Sequence, residues 1–188
     1  METILYIKNM VCDRCKMAVS QTLQQLALHP LNVELGEVRI EETIDDRQRE
    51  TLRRRLEALG FELLDDKKQQ TIEQIKAAII KLIRYTDGDS HMNLSDYLAD
   101  RLHSDYSLLS KLFSEVTGLT IERYYIMQRI ERVKELIRYD QQSLTETAHQ
   151  MNYSSVAYLS SQFKSVTGMT PTQFKNLKEN TRKNLDQV

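Results

Sequence analysis

The sequence predicts an α+β chain: an N-terminal β-α-β-β-α-β domain followed by an all-α domain with two helix-turn-helix units joined by a long helix. Three observations carry that prediction. Apolar residues fall into short strand-like stretches and amphipathic helices before residue 65, and into helical spacing after it. Glycine and proline are scarce, 5 and 2 in 188 residues, which disfavours a many-stranded sandwich or barrel. The pattern Ser110–Thr120 recurs fifty residues later as Ser160–Thr170.

The first strand is predicted over residues 4–9, interrupted by Cys12-Asp13-Arg14-Cys15. A helix over 15–28 puts Val19, Leu23, Leu26 and Ala27 on one face, and His29-Pro30 ends it. Val33–Leu35 and Val38–Ile40 alternate around Gly36 as a hairpin. A second helix turns Leu52, Leu56 and Leu59 inward and Arg53, Arg54 and Arg55 to solvent, and stops at Gly60. Phe61–Leu64 is the last strand, and the order is ferredoxin-like. A polar stretch, Asp65–Gln70, marks a boundary: residues 1–68 form the first domain, 69–90 a linker helix and loop, 91–188 the second domain. The linker helix carries an apolar stripe of Ile72, Ile75, Ile79 and Leu82/Ile83, and Thr86–Ser90 is a charged loop.

In the repeat, each copy is a short helix, a turn and a second helix ending at Gly118 or Gly168. Two steeply crossing helices need a small residue where they touch, and Ala99 and Ala148 are placed for it. Asp105, and Ser154 or Ser155, are good N-caps. Leu109, Phe113 and Val116, with Leu159, Phe163 and Val166 in the second copy, share one face and are expected in the core. The opposite face carries Ser107, Ser110, Lys111 and Ser114, then Ala157, Ser160, Ser161 and Lys164. Such a small, polar face suits insertion into a major groove, although the pattern alone also fits an ordinary helical bundle.

Net charge is −1, so charge alone does not point to nucleic acid. Residues 1–68 hold 11 Lys and Arg against 13 Asp and Glu; residues 69–188 hold 15 against 14. No apolar run spans a membrane. Two cysteines and no secretion signal imply a reducing cytoplasm. No Ser/His/Asp set, phosphate loop or paired carboxylate suggests an enzyme. His29, His91, His103 and His149 are scattered singly, as solvated or capping residues, and Tyr124-Tyr125 is expected to pack.

Residues 72–178 resemble the AraC-type DNA-binding domain. The resemblance rests on Leu144-Thr-Glu-Thr-Ala148, Asn152-Tyr153-Ser154, Tyr158-Leu159-Ser-Ser-Gln-Phe163-Lys164, Gly168-Met-Thr170-Pro171-Thr-Gln-Phe174-Lys175, and Tyr124 with Arg129–Ile137 on the joining helix. Asn152 stands where that family usually has Gly, Leu159 where it often has Phe, and Val133 where it often has Ala. The resemblance implies that each second helix enters a major groove, the grooves about 34 Å apart. It places base reading on Ser107, Ser110 and Lys111, and on Val156, Ala157, Ser160 and Ser161, with Lys164 and Lys175 as phosphate contacts. Implied partners are double-stranded DNA and RNA polymerase, in a bacterial cytoplasm; the oligomeric state stays open.

Cys12-x-x-Cys15 sits where a strand meets a helix N-terminus, which is expected to lower a thiol pKa and leave both sulfurs accessible. A soft-metal site, a thiol-redox pair and an inert pair all fit this spacing. Residues 3–65 resemble the heavy-metal-associated fold of copper chaperones, through Met10, Cys12, Cys15 and Gly60-Phe61. The chain has Asn9-Met10-Val11-Cys12 where that family has Gly-Met-Thr-Cys. The resemblance implies Cu(I), or Zn(II) with added ligands, at Cys12 and Cys15. A thioredoxin fold is disfavoured, because the only prolines are Pro30 and Pro171. The sequence therefore predicts a sequence-specific transcription regulator, responsive to metal or another signal through its N-terminal domain. The alternative is a soft-metal carrier or thiol-redox protein whose helical half docks a partner protein.

Overall fold

The computed structural model describes residues 2–85, 93–138 and 143–177. Its elements run β1 (Thr3–Lys8), α1 (Asp13–Gln25), β2 (Pro30–Glu34), β3 (Glu37–Ile40), α2 (Asp46–Glu57), β4 (Glu62–Leu64) and α3 (Lys67–Tyr85). Then follow α4 (Leu94–Leu102), α5 (Tyr106–Thr117), α6 (Ile121–Arg138), α7 (Leu144–Gln150), α8 (Val156–Thr167) and α9 (Pro171–Lys175). Thr86–Ser90, expected as a loop, lies outside the described residues.

The four strands form one antiparallel sheet in the order β2-β3-β1-β4. Alternation along β1 sends Leu5 and Ile7 into a core shared with Val38 and Ile40 of β3, Val19 and Leu23 of α1, and Leu52 and Leu56 of α2. The hairpin turns at Gly36, which has φ 77. A Cβ there would stand 3.5 Å from the Glu73 carbonyl oxygen and 3.6 Å from Ala77 Cβ, ordinary contact distances, so it is the positive φ rather than crowding that calls for glycine.

Two helix ends differ from expectation, for one reason. α1 stops at Gln25, and the chain leaves through Ala27 at φ 55, with the Leu28 N–H donating to the Leu23 carbonyl at 3.0 Å. Ala27 is thus an exposed cap residue rather than core, and Pro30 opens β2 rather than closing the helix. α2 leaves through Gly60 (φ 84), with the Phe61 N–H donating to Leu56 and the Gly60 N–H to Glu57, both at 3.0 Å. Leu59, expected inward, sits in that cap turn and is 54% exposed. Arg53 does not simply face water: it donates to the Leu63 carbonyl at 2.9 Å and pairs with Asp65 at 2.6 Å, tying α2 to β4.

The segment read as a linker contains the most widely shared helix in the molecule. Ile80 and half-buried Ala77 of α3 join the sheet core. Ile72, Ile75, Ala78 and Ile79 join a second core with Leu98, Leu109, Phe113, Ile121 and Tyr124. Ile83 touches that core and a third one, built from Ile130, Val133, Leu136 and Ile137 of α6 with Ala148, Leu159, Phe163 and Phe174.

The repeat is structural as well as sequential, and it extends one helix further than its sequence pattern. Phe113 meets Tyr124 at the start of α6 with ring centroids 5.6 Å apart and planes at 58°. Phe163 meets Phe174 of α9 at 5.6 Å and 63°. Thr117 and Thr167 each donate to the carbonyl four residues back and accept from the N–H two residues on. The copies differ at one expected core position: Val166 packs against its core, whereas Val116 is 37% exposed.

Each unit turns through a left-handed residue, His103 (φ 49) or Asn152 (φ 52), and the next N–H donates back to Ala99 or Ala148 at 3.2 and 2.8 Å. Of the two alanines expected at the crossings, Ala148 is buried in the core of the second unit and Ala99 is half-buried. No helix among the described residues is long and apolar enough to cross a membrane.

Two stability measurements follow. Ile79 is fully buried in the core of the first unit. Ile79→Ala should cost about 2–5 kcal/mol in urea denaturation; a loss below about 1 kcal/mol would contradict the role given to α3. The left-handed conformation costs a β-carbon residue about 1–2 kcal/mol, and the extra chain entropy of glycine offsets about 0.5–1. His103→Gly should therefore stabilise the protein by about 0.5 kcal/mol, and Asn152→Gly by less, because Asn tolerates that conformation.

Candidate nucleic-acid interface

The candidate interface consists of α5 and α8, the second helix of each unit. Asp105 caps α5 by accepting from the Ser107 N–H at 2.7 Å, and Ser155 caps α8 by accepting from the Tyr158 N–H at 3.1 Å. Ser143 and Glu146 form a capping box at the start of α7. Tyr106 donates to Glu122, fastening the start of α5 to α6. In the second unit Arg129 of α6 lies over the Tyr153 ring, 4.0 Å from its centroid, and donates to the Met151 carbonyl in the turn. Tyr153 in turn donates to Gln162 at 2.6 Å, and burial pushes its phenol up to about 12. Both helices are thus locked to α6 by polar contacts as well as by their cores.

With the apolar stripes held inward, the residues singled out by sequence are sorted by exposure. Ser107 and Lys111 on α5, and Ala157, Ser161 and Lys164 on α8, are exposed. Ser110 and Ser160 are half-buried at equivalent places. Val156 is half-buried and packs against the core of the second unit, so part of its surface is already used. The Ser107 hydroxyl donates to its own cap, Asp105, which leaves it free to accept but not to donate outward. Lys175, on α9, is exposed.

Sequence reasoning passed over one pair. Leu108 is 64% and Tyr158 53% exposed, at equivalent positions of the two helices. The signal was present: each is a large side chain one position before the buried Leu109 or Leu159, off the i, i+4, i+7 stripe. The Tyr158 ring meets Tyr153 edge-on at 5.9 Å.

The cysteine pair lies at the other end of the molecule's sequence. Cys12 caps α1 with extended backbone and no side-chain cap bond, and its Sγ stands 3.4 Å from that of Cys15. Both are half-buried, and Cys15 packs against the sheet core beside buried Met10. The expected lowering of the thiol pKa does not hold for Cys15: burial pushes it up and outweighs the backbone N–H groups of the helix start. Nor are the sulfurs fully accessible. Among the described residues, the one group of three or more His, Cys, Asp or Glu side chains near enough to share an ion is His29, Glu41 and Glu42. That group is an exposed ion pair: Glu42 accepts from the His29 ring and, at 2.9 Å, from its backbone N–H. The hydrogen bond from the ring to Glu42 raises the His29 pKa.

Next to the cysteines, Tyr85 at the end of α3 donates to Asp13 at 2.8 Å, and Lys16 lies 5.9 Å from the Tyr85 ring centroid. The preceding residue, Arg84, pairs with Glu135 of α6 at 3.1 Å.

A family model described as "Helix-turn-helix domain" matches residues 98–177. An uncharacterized HTH-type transcriptional regulator of Staphylococcus aureus is 28% identical over 131 residues, covering 57% of this chain and 17% of its own. The chain therefore spans under a fifth of that relative's length. An uncharacterized HTH-type transcriptional regulator in the cgkA 5′ region of Pseudoalteromonas carrageenovora is 29% identical over 114 residues, covering 58% of this chain and 68% of its own. Among solved structures, the C-terminal domain of AraT, a response regulator from Geobacillus stearothermophilus, superposes with a TM-score of 0.52 at 18% identity, covering 63% of this chain and 95% of that one. That likeness extends to the fold. Residues 98–177 thus match a helix-turn-helix family model, and the relatives similar to this stretch are named as HTH-type transcriptional regulators.

Proposed function

We propose that the chain is a bacterial, cytoplasmic, sequence-specific DNA-binding transcription regulator, not an enzyme, with double-stranded DNA and RNA polymerase as partners. The observation that carries this is the pair of capped helices, α5 and α8, offering small polar faces from one scaffold helix. α6 has 18 residues, so it spans about 27 Å, compatible with two successive major grooves. Ser107, Ser110 and Lys111 read one groove; Val156, Ala157, Ser160 and Ser161 read the other; Lys164 and Lys175 hold phosphate. Lys111 suits guanine O6/N7 and Ala157 a thymine methyl. The AraC type is the reading favoured by the double unit and its joining helix.

The N-terminal part, residues 1–68, is the signal-sensing domain. Its strand order supports a ferredoxin-like, heavy-metal-associated identity. Two soft thiols 3.4 Å apart fit a two-ligand Cu(I) site at Cys12 and Cys15. Zn(II), which takes four ligands, finds no third His, Cys, Asp or Glu beside the pair among the described residues. Any effector must favour one conformation of the chain to alter DNA affinity. The Asp13–Tyr85 and Arg84–Glu135 contacts supply the physical route from the first turn of α1 to α6.

Selection from random duplex DNA should enrich one motif with two half-sites about one helical turn apart; a pool that stays random overturns the reading. On the selected site, Ala157→Asp should cost about 1–3 kcal/mol and relax preference at one base position, whereas Lys164→Ala should weaken all sequences alike. The slope of log K against log salt should be shallower than about −10, since few cations face outward. Anaerobic titration of the reduced protein with Cu(I) against a chelator should show one-to-one binding that Cys12→Ser/Cys15→Ser abolishes. Equal binding by the double variant would leave the domain without the metal role.

A further inference from the structure

A cleft of about 300 Å³ lies where the sheet, α3 and the last turn of α5 meet. We propose that this cleft binds a small organic anion with a compact apolar body, its carboxylate or phosphate held at Lys8 and Lys76 and its body seated against Ile72, Val116 and Leu119. The proposal concerns a ligand site distinct from both the cysteine pair and the DNA-facing surfaces.

The first support is the break in the repeat. Val166 packs against the core of the second unit, but its counterpart Val116 joins no core, is 37% exposed and lines the cleft. An apolar side chain at a core position of a conformationally identical helix has been left without its packing partner, and the empty volume lies in front of it. Restoring that contact is what the apolar body of a ligand does.

The second is the charge of the walls. Lys8 at the end of β1 and Lys76 on α3 line the cleft together with one acidic residue, Glu73. Glu73 is 7% exposed and accepts from Lys76 at 2.9 Å, so the two form a neutral pair in the wall and Lys76 offers a ligand its remaining N–H donors. Lys8 pairs at 2.9 Å with Glu62, which stands outside the lining. An ammonium has three donors, and these contacts engage one on each lysine. Gln69 and Tyr124 also line the cleft. The Tyr124 phenol accepts from Gln128 at 3.0 Å and is held neutral by burial.

The third is size. About 300 Å³ is the lower end of small-molecule pockets, which selects a ligand of about one ring. Such a ligand would touch β1, α3 and α5 at once, and would therefore bridge the sheet domain and a candidate DNA-reading helix.

The test uses the full chain, without DNA, so its failure leaves the DNA-binding reading intact. Benzoate and phenyl phosphate are titrated to about 10 mM, beside neutral benzyl alcohol and cationic benzylamine, with amide chemical shifts as the readout. The expected result is saturable shifts at Lys76, Val116, Thr117 and Leu119 with either or both anions, and not with the other two. A response to one anion alone identifies the head group. Val116→Phe, which fills the cleft, should abolish the shifts, and Lys8→Gln should weaken binding about fivefold while the thermal melt is unchanged. No saturable shift at these amides, an equal response to benzyl alcohol, or unaltered binding in folded Val116→Phe overturns the proposal.

Discussion

The first helix-turn-helix unit cannot close its core without a helix that also belongs to the sheet. Leu109 and Phe113 of α5 and Leu98 of α4 are buried in a core to which α6 contributes Ile121 and Tyr124. α3 supplies Ile72, Ile75, Ala78 and Ile79, while Ile80 and Ala77 on another side of it enter the sheet core. A helix shared between cores must carry apolar residues on more than one side, and this shared requirement fixes the sheet against the helical half. The contact at Gly36 and the polar ties Gln74–Glu37 and Lys81–Glu34 follow from it.

The second unit meets the same need differently. α6 gives it four fully or nearly fully buried aliphatic residues, and its cations finish the packing: Arg138 stands 4.7 Å from the Phe174 centroid and donates to the carbonyls of Phe174 and Leu177. Lys134 is buried against Glu131 at 2.6 Å. These contacts engage several of the basic side chains of the helical half in packing around α6. For the proposed interface, that leaves fit of the α5 and α8 faces to carry more of the binding than long-range attraction does.

What the sequence disclosed and what it hid divide along physical lines. The order of elements along the chain, the hairpin at Gly36, the repeat and the N-cap at Asp105 were legible, because each follows from local spacing or a single capping side chain, and of the two candidates for the second cap Ser155 takes the role. Helix ends were less so. Ala27, His103 and Asn152 occupy left-handed positions that a glycine would announce, and Leu59 keeps the helical period one turn past the point where α2 has closed. The state of Cys15 was hidden because burial is a tertiary property: a helix start favours the thiolate, and the sheet core beneath it disfavours the thiolate more. The role of α3 was half visible. Its stripe was plain, but the second apolar side, Ala77 and Ile80, has meaning only once the sheet is built. The exposed pair Leu108 and Tyr158 shows the converse, where apolar residues off the stripe announce a surface.

Arg84 and Tyr85 are neighbours in sequence, yet one holds α6 and the other holds the first turn of α1. Successive residues of a helix point about 100° apart, and their relative direction is fixed by the backbone. Any rolling of α3 about its own axis moves both side chains at once. The end of the helix therefore ties the first turn of α1 and the scaffold helix α6 to one short stretch of backbone.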